Sequence, residues 1–248
     1  MSADELYETL AADYHLLFDD WHASMRAQGE MLHRLLGGQR LRVLDVSCGM
    51  GTQAIGLALQ GHLVAGRDAS PALVARAREE AKRFGLDVPF AVGDMRVPAP
   101  GDAARFDVVV SLDNALPHLS THEELVAALA AARAALVPGG KFLASIRDYD
   151  ALVESRPTFT PPRVLTRGGD ERVVVQRWAW DADGAAYDFE QVLLLRREGG
   201  WSVRTYAGRY RALLRADLDA AARAAGFAAL EWLEPDATGF YQPILQAR

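Results

Sequence analysis

The segment VLDVSCGMGT at residues 43–52 constrains the fold most strongly, because an apolar strand pattern runs directly into a loop containing two glycines. From there to about residue 150, short apolar runs alternate with helical patterns; the runs are RVLDV, LVAGRD, PFAVGD, FDVVVSL and KFLASIRD. Strands that are joined through single helices pair in parallel, with helices on both faces. The alternation therefore predicts an α/β fold with a doubly wound, mostly parallel sheet.

The segments around these strands carry helix signals. Ser70 followed by Pro71 is typical of an N-cap and a first helical position, and another helix is predicted from about Gln53 to Leu59. The helical pattern HEELVAALAAARAAL is followed by LVPGG, whose proline and glycines should end it. Before the sheet, apolar and aromatic residues at positions 3–36 recur at helical spacing, which predicts one or two amphipathic helices.

The pattern changes after Asp150. The runs RVVVQRWAW, AAYDFEQVLLL and WSVRTYAGRY are separated by the turn-forming DADG and REGG, which predicts an antiparallel β meander inserted over the sheet. A helical RADLDAAARAAG and strands from FAALEWLEP and FYQPILQAR follow. We predict four units: an N-terminal helical lid at 1–38, an α/β core at 39–150, a small antiparallel β insertion at 151–211, and a C-terminal helix and strands completing the core at 212–248.

The amino-acid composition limits the kinds of binding partner that we expect. Half of the 248 residues are apolar, which suits one large domain or one with a modest insertion. A net charge of −6 without a lysine and arginine cluster gives no reason to expect nucleic acid. The N-terminal MSADELYETL lacks a signal-peptide pattern and no long apolar run follows, so we expect a cytoplasmic protein and no membrane contact. Cys48 is the only cysteine, and we expect no metal.

The glycine loop is compatible with several ligands. Gly49, Gly51 and Ala54 satisfy the dinucleotide fingerprint G-x-G-x-x-G/A, which keeps an NAD(P)-dependent oxidoreductase open; a tight turn without a ligand is equally compatible. Asp45 distinguishes among the ligands, because a carboxylate at the strand end repels a pyrophosphate and attracts an amino group. S-adenosylmethionine carries an amino group, a sulfonium, a ribose and an adenine, and no phosphate.

Acids also end the next two strands. Asp68 follows LVAGR, where it can bind ribose hydroxyls, and Asp94 lies in VGDM, where it can accept from the adenine amine. Together with the spacing D-x-S-x-G-x-G at residues 45–51, FDVVVSLDN and LVPGG, these acids make the chain resemble the class I S-adenosylmethionine-dependent methyltransferases over nearly its whole length. The resemblance implies a seven-stranded Rossmann-like sheet, S-adenosyl-L-methionine as cofactor and S-adenosyl-L-homocysteine as product.

Two positions depart from the usual pattern of that family. Ser47 stands where glycine or alanine is common, and Arg67 where an apolar or small residue precedes the ribose acid. We expect Ser47 to leave the loop intact and Arg67 to point to solvent or to the adenine edge. The resemblance implies a cofactor-binding set consisting of Asp45, Ser47, Gly49, Gly51, Asp68, Ala69, Asp94, Met95, Leu112 and Trp21.

A narrower resemblance concerns the acceptor. LDNALPHL, SIRDYD and GFYQP are similar to stretches of the glycine and sarcosine N-methyltransferases, which implies that Arg147 grips a substrate carboxylate with help from Asn114. The same resemblance makes Tyr210 and Tyr241 pocket-wall candidates. The alternative for Arg147 is an ordinary surface arginine that pairs with the aspartate at 148 or 150.

The N-terminal YETLAADYHLLFDDW resembles the lid helix of that group. Tyr7 and Tyr14 are two helical turns apart, so we expect both on one helix face, where they would close over the methyl group. A hydrophobic stripe that docks the helix is the alternative, and it is the better account of Phe18 and Trp21. His118 is a candidate proton acceptor, with a loop anchor as the alternative.

These features predict transfer of a methyl group from S-adenosylmethionine to a small molecule, specifically the amine of an amino acid or a related metabolite. An O-methyltransferase acting on a small carboxylate or hydroxyl is the first alternative. An NAD(P)-dependent oxidoreductase or a non-catalytic cofactor-binding protein would be alternatives of another class. The expected partner is a small-molecule substrate, and the sequence leaves open whether the chain forms a homo-oligomer.

Overall fold

The computed structural model describes residues 3–167 and 169–248. Before the sheet, the N-terminal segment forms helix α1 (Ala3–Leu10), a 3-10 turn (Tyr14–Leu17) and helix α2 (Trp21–Leu35). One or two helices were predicted here; the structure has two α-helices with the 3-10 turn between them. Within the described residues, no helix is long and apolar enough to cross a membrane.

The central sheet has seven strands, as predicted, and its first part alternates with helices. In chain order the elements are β1 (Arg42–Asp45), α3 (Thr52–Leu59), β2 (Leu63–Asp68), α4 (Pro71–Arg83), β3 (Phe90–Val92), β4 (Phe106–Ser111), α5 (His122–Ala135) and β5 (Leu136–Ser145). These five strands pair in parallel in the order β5, β4, β1, β2, β3. The strand order therefore reverses between β1 and β4, where α/β folds place their ligands.

The helix boundaries follow local sequence chemistry. The Ser70 side chain accepts from the Leu73 amide at 3.2 Å with proline next in the chain, as the sequence predicts for the start of α4. Helix α5 begins with a capping box, in which the Thr121 and Glu124 side chains each accept from the other's backbone. It ends at Ala135, and the LVPGG segment that follows already belongs to β5.

The C-terminal part completes the sheet. Helix α6 (Tyr149–Ser155) comes directly after β5, and helix α7 (Arg215–Ala224) precedes β10 (Leu230–Leu233), a short helix α8 (Pro235–Thr238) and β11 (Ile244–Ala247). Strand β11 pairs antiparallel with both β5 and β10. The closing hairpin was predicted from the sequence; helices α6 and α8 were not. Asp148 caps α6 by accepting from the Ala151 amide. An aspartate at this position favours a helix start, but the β-rich pattern of the following residues predicts strands only.

A second, antiparallel sheet of four strands comes from the inserted segment. Its strands are β6 (Arg163–Arg167), β7 (Asp170–Trp180), β8 (Ala186–Arg197) and β9 (Gly200–Arg211), paired in that order. The sequence predicted the last three strands and missed β6. The predicted fold class, a seven-stranded mostly parallel sheet with N-terminal helices and a small antiparallel insertion, is confirmed.

The two faces of the central sheet have separate apolar cores, as a parallel sheet covered on both sides requires. Helices α2, α3 and α4 cover one face, and α5 and α7 cover the other. Helices α2 and α3 cross so closely that a Cβ on Gly29 would lie 2.3 Å from the backbone of Gly56. That contact fixes α3, which follows the glycine loop, against the rest of the protein.

Candidate active site

A cavity of about 530 Å³ opens at the carboxyl ends of β1, β2, β3 and β4. A volume of this size suits a cofactor or a drug-sized ligand. The structure brings most of the predicted site residues to its wall: Tyr7, Tyr14, Ser47, Gly49, Asp68, Ala69, Asp94, Met95, Leu112 and His118. The other predicted residues, which do not line this wall, are Trp21, Asp45, Gly51, Asn114, Arg147, Tyr210 and Tyr241.

The glycine loop between β1 and α3 is held by backbone geometry. Gly51 has φ 95° and is the N-cap of α3, and a Cβ there would lie 2.7 Å from the Ile55 side chain. Gly49 has φ 52°, and its amide donates to Asp68 at 2.8 Å. Ser47 fits the loop without strain, since its hydroxyl lies 3.1 Å from that of Ser111. Glycine at position 51 is thus a steric requirement of the turn.

Asp45 ends β1 beneath the cavity and is 1% exposed. Its Oδ1 accepts from the Ser47 amide at 3.2 Å, whereas its Oδ2 is buried without a hydrogen-bond partner. Burial raises the pKa of this carboxyl to about 8, with the nearby charges of Asp68 and Asp113 adding to the shift. An unsatisfied buried carboxylate oxygen of this kind is the chemistry that an ammonium group would satisfy.

The two acids after β2 and β3 differ in their partners. Asp68 accepts from the amides of Gly49 and Ser70, at 2.8 and 3.0 Å, which orients its carboxylate at the cavity wall. Asp94 forms a two-pronged ion pair with Arg96, at 3.0 Å from Nε and 2.7 Å from Nη2, and this pairing lowers the pKa of Asp94. Asp68 is held by the loop itself, and Asp94 by a side chain two residues away.

Arg67 corrects an expectation. Its guanidinium forms an ion pair at 2.7 Å with Asp102, which is 5% exposed. The sequence predicted that Arg67 points to solvent or to the adenine edge; the first part is wrong because the guanidinium is paired with Asp102, whereas the Arg67 side chain does run beside Gly93, next to Asp94. A buried carboxylate attracts a cation strongly, and Asp102 lies in the loop before β4, where no local pattern reveals it as the partner.

The tyrosines of the N-terminal segment meet at the cavity, though not for the predicted reason. Helix α1 ends at Leu10, so Tyr7 and Tyr14 do not share a helix face. A turn between them nevertheless brings their ring centroids to 6.2 Å. The Tyr7 hydroxyl lies 2.9 Å from His118 Nε2, and burial lowers the pKa of His118 to about 4, so its imidazole is neutral near pH 7.

Trp21 was predicted as a cofactor contact, with docking of its helix as the alternative. It is 4% exposed, and its indole N–H donates to the Thr52 hydroxyl at 2.9 Å. Thr52 lines the cavity and Trp21 lies behind it, within the core shared by α2 and α3. Trp21 therefore does not line the cavity, and its packing agrees with the alternative, in which this aromatic side chain docks its helix.

Arg147 lies just after β5, deep against the antiparallel sheet. Its guanidinium lies over the rings of Trp178 and Tyr210, at 4.9 and 5.1 Å from their centroids, and donates to the Tyr187 hydroxyl at 2.7 Å and to Gln176 Oε1 at 2.9 Å. Every one of these partners is neutral. Within the described part of the chain, no carboxylate forms an ion pair with it.

The surface alternative for Arg147 is accordingly wrong. Asp148 accepts from the Ala151 amide at the start of α6, and Asp150 accepts from the Arg215 amide. Asn114, predicted to assist, accepts from the Arg147 amide at 3.0 Å through Oδ1 and donates to the Tyr149 hydroxyl at 3.0 Å. Asn114 therefore fixes the backbone that carries the arginine.

The other two predicted wall residues occupy opposite environments. Tyr210 is 5% exposed and its ring lies 4.4 Å from that of His118, centroid to centroid. Tyr241 is 64% exposed, and its hydroxyl donates to Asp113 at 2.8 Å. Tyr210 packs against His118 without lining the cavity, whereas Tyr241 lies at the solvent side of Asp113.

Sequence reasoning missed several residues of the cavity wall. Asp113 and Gln53 both line the cavity, and the Gln53 amide donates to Asp113 at 2.7 Å. Arg96 and Thr52 line it as well. The signal for Asp113 was available, because a charged residue directly after the buried FDVVVSL run lies at the carboxyl edge of the sheet. No local pattern marks Gln53 in the first turn of α3.

Comparisons with known proteins agree with this architecture. Residues 43–140 match the methyltransferase domain family. A glycine/sarcosine N-methyltransferase of Parasynechococcus marenigrum is 34% identical over 54% of this chain and 48% of its own, and a ubiquinone biosynthesis O-methyltransferase of Coxiella burnetii is 32% identical over 42% of each. The chain thus spans about half the length of the curated relatives it matches.

One solved structure is similar to this chain over nearly the whole length of both proteins. S-adenosylmethionine-bound CalS10, an amino pentose methyltransferase from Micromonospora echinaspora, is 26% identical with a TM-score of 0.73, over 96% of this chain and 95% of its own. The fold, the glycine loop and these matches together define a Rossmann-like methyltransferase. Residues 43–140 are a methyltransferase domain, and the fold and these similarities support a class I S-adenosylmethionine-dependent methyltransferase, for which S-adenosylmethionine is the cofactor. They favour S-adenosylmethionine over a nicotinamide cofactor.

Proposed function

We propose that this protein transfers a methyl group from S-adenosylmethionine to the amine of a small molecule. The observation that carries the choice of an amine is the state of His118, the imidazole at the cavity wall. With its pKa lowered to about 4, His118 is a poor general base near neutral pH. A hydroxyl acceptor requires a base that removes its proton, whereas an amine can lose its proton to water before it attacks.

Relatives support nitrogen as the acceptor atom. The relative with 34% identity is named as a glycine/sarcosine N-methyltransferase, and CalS10 is an amino pentose methyltransferase. Both names point to small amines. The O-methyltransferase relative matches a smaller part of the chain, 42% against 54% for the glycine/sarcosine N-methyltransferase.

The residues at the cavity fit the cofactor. We assign the buried Oδ2 of Asp45 to the ammonium side of the cofactor's amino-acid group, the glycine loop to its backbone contacts, and Asp68 to the ribose hydroxyls. Asp94, Met95 and Leu112 would surround the adenine. S-adenosylmethionine, when bound, supplies a methyl group made electrophilic by a sulfonium.

The protein's own contribution is alignment and exclusion of water. Tyr7 and Tyr14 cover the cavity from the N-terminal segment, and their aromatic faces favour a cation beneath them. Tyr7 is fixed by its hydrogen bond with His118, which gives the histidine a positioning role that does not require its protonation. Holding the two reactants in line accounts for most of the acceleration that this chemistry needs.

We further propose that the acceptor carries a carboxylate, as in an amino acid, and that Arg147 binds it. A buried guanidinium whose hydrogen-bond partners are all neutral favours an anion that can accept two bonds. Tyr210 and Asn114 would support that contact, since one packs against the guanidinium and the other holds its backbone. When the substrate binds, its carboxylate would replace Tyr187 and Gln176 as hydrogen-bond partners of the guanidinium or share the guanidinium with them.

The test is a methylation assay with purified protein, S-adenosylmethionine and a panel of matched amines, amino acids, amino sugars and hydroxy acids, with products identified by mass spectrometry. We expect a mass increase of one methyl group on amines, accompanied by S-adenosylhomocysteine. Methylation confined to hydroxyl or carboxyl compounds would refute N-methylation. Methylation of amino sugars alone would refute the carboxylate contact and leave N-methylation standing.

A further inference from the structure

Asp113 is a cavity residue to which the preceding assignments give no role. It is the second residue after β4 and has φ 57°, and the next residue, Asn114, has φ 66°. Two successive non-glycine residues in the left-handed region cost free energy, and such strain collects at functional positions. The turn is held by an amide hydrogen bond from Asp113 to the Ser145 hydroxyl at 2.9 Å. The strained turn places the Asp113 side chain at the cavity wall.

The carboxylate of Asp113 is held by neutral donors. Tyr241 donates to Oδ1 at 2.8 Å and Gln53 donates to Oδ2 at 2.7 Å, and Gln53 is itself fixed by Gln28 at 2.7 Å. Among the described residues no lysine, arginine or histidine forms an ion pair with it. Because each carboxylate oxygen can accept more than one hydrogen bond, Asp113 keeps capacity for a ligand N–H.

The other carboxylates that line the cavity are assigned to the cofactor. Asp94 is paired with Arg96 and assigned to the adenine, and Asp68, held by the glycine loop and the start of α4, is assigned to the ribose. Asp113 is near enough to Tyr14 that its charge, after burial, raises the pKa of that tyrosine. It also contacts Tyr241, which is 64% exposed. Asp113 therefore lies between the covered part of the cavity and solvent, on the path open to an acceptor.

We propose that Asp113 binds the acceptor amine and stabilises the positive charge that develops on its nitrogen. This inference rests on the proposed N-methylation. The nitrogen lone pair forms the new N–C bond while the S–C bond breaks and its electron pair stays on sulfur, so a unit of positive charge moves from sulfur to nitrogen. The proton on the product nitrogen leaves to water afterwards. A fixed carboxylate beside the nitrogen favours that charge movement.

The same arrangement gives substrate selectivity. Arg147 has neutral partners only and favours an anion, whereas Asp113 favours a cation or an N–H donor. The backbone links them, because Asn114 follows Asp113 and accepts from the Arg147 amide at 3.0 Å. The pair is complementary to a molecule that carries both an amine and a carboxylate.

The test compares Asp113→Asn with the parent, using an amine that the parent methylates. We expect kcat/KM to fall about 10- to 100-fold, as for loss of one charged hydrogen bond, while the Kd of S-adenosylhomocysteine stays within about twofold. Inhibition by the fully methylated, permanently cationic form of the acceptor should weaken, and inhibition by its uncharged carbon analogue should not. Asp87→Asn, at an exposed carboxylate between α4 and β3, is the matched control and should behave as the parent.

Tyr241→Phe provides a second variant at a mostly exposed ring, in case the asparagine variant folds poorly. Losing one anchor of the carboxylate should lower kcat by about tenfold or less without changing cofactor affinity. Unchanged turnover in Asp113→Asn, or a loss of S-adenosylhomocysteine affinity equal to the loss of turnover, would overturn the role assigned to Asp113. A parent that methylates no amine would instead refute the proposed function itself.

Discussion

The cavity has two sides that are built differently. We call the carboxyl ends of β1 to β3 with the glycine loop the cofactor side, and the N-terminal segment 3–20 with β7 to β9, Asp113 and Arg147 the acceptor side. On the cofactor side, contacts join residues close in sequence or on neighbouring strands, such as Gly49 to Asp68 and Asp94 to Arg96. On the acceptor side they join distant segments, as in the ion pair of Asp13 with Arg204.

That difference has a functional consequence. Because the whole class uses the same cofactor, short sequence motifs at strand ends are enough to identify its binding site. The acceptor differs among relatives, and its side of the cavity is formed by an insertion whose strands hold the N-terminal segment. Arg172 on β7 donates to the carbonyls of Leu16, Phe18 and Asp19, and Arg163 on β6 donates to that of Leu17. Changes on one side should therefore leave the function of the other intact.

The largest effect is expected for Arg147→Ala with an amino-acid acceptor. Removing one partner of a buried ion pair costs about 3–5 kcal/mol, which predicts a fall in kcat/KM of at least about a hundredfold. Arg147→Lys keeps the charge and loses the two-pronged geometry, so its activity should lie between the two. Steady-state kinetics on amines with and without a carboxylate measure this. An equal fall in kcat/KM on amines with and without a carboxylate would show that Arg147 does not bind the carboxylate.

A smaller effect, on stability, is expected when the N-terminal segment loses its hydrogen bonds to the antiparallel sheet. Arg172→Met removes three hydrogen bonds to the segment that carries Tyr14, at a side chain that is 7% exposed. We expect the free energy of unfolding to fall by about 1–3 kcal/mol, together with faster proteolysis near residues 13–19. Arg177→Met, at an exposed ion pair with Glu190, is the control. Cleavage that is no faster than in the control would show that the guanidinium does not hold the segment.

The smallest effect, taken over a single pH unit, concerns the cofactor side. The pKa of Asp45 is raised to about 8 in the folded protein and is ordinary in the unfolded chain, so the folded state holds an extra proton between about pH 4 and 8. The free energy of unfolding should fall as pH rises through that window, by at most about 1.4 kcal/mol per pH unit. Asp45→Asn should flatten the dependence, as followed by denaturant titration at several pH values. A parent curve parallel to the variant's would argue against a raised pKa.

The same shift predicts how cofactor binding depends on pH. An ammonium favours the charged carboxylate, so binding below pH 8 releases a proton and affinity should rise toward that pH. The increase is at most about tenfold per pH unit, and Asp45→Asn should remove it. Titrations in buffers of different ionisation enthalpy report the released proton, and its absence would place the ammonium elsewhere.

The sequence predicted the cofactor side well because its rules are local. An acid at a strand end, glycines at positive φ and a serine before a proline each carry their structural meaning within a few residues, as Gly51 and Ser70 demonstrate. On the acceptor side, Asp113 was missed although it is the second residue after a strand, since the residues that hold it, Gln53 and Tyr241, come from distant parts of the chain.

The acceptor side was predicted less well for the same reason. Tyr7 and Tyr14 meet through a turn rather than along one helix. The same limit holds on the cofactor side for Arg67, whose partner Asp102 lies 35 residues away. Strand β6 was missed because its only paired neighbour is β7, at the edge of the second sheet. These features depend on tertiary contacts that no short window contains.

Calorimetric titration of S-adenosylhomocysteine into the parent, Asp68→Ala and Arg147→Ala separates the two sides in one experiment. The parent should bind in the micromolar range, about −7 to −8 kcal/mol, and should not bind NAD or NADP. Asp68→Ala should bind about 1.5–3 kcal/mol more weakly and remain folded, whereas Arg147→Ala should bind as the parent does. A parent that binds NAD and ignores S-adenosylhomocysteine, or an Arg147→Ala variant weakened as much as Asp68→Ala, would contradict the division of the cavity into a cofactor side and an acceptor side.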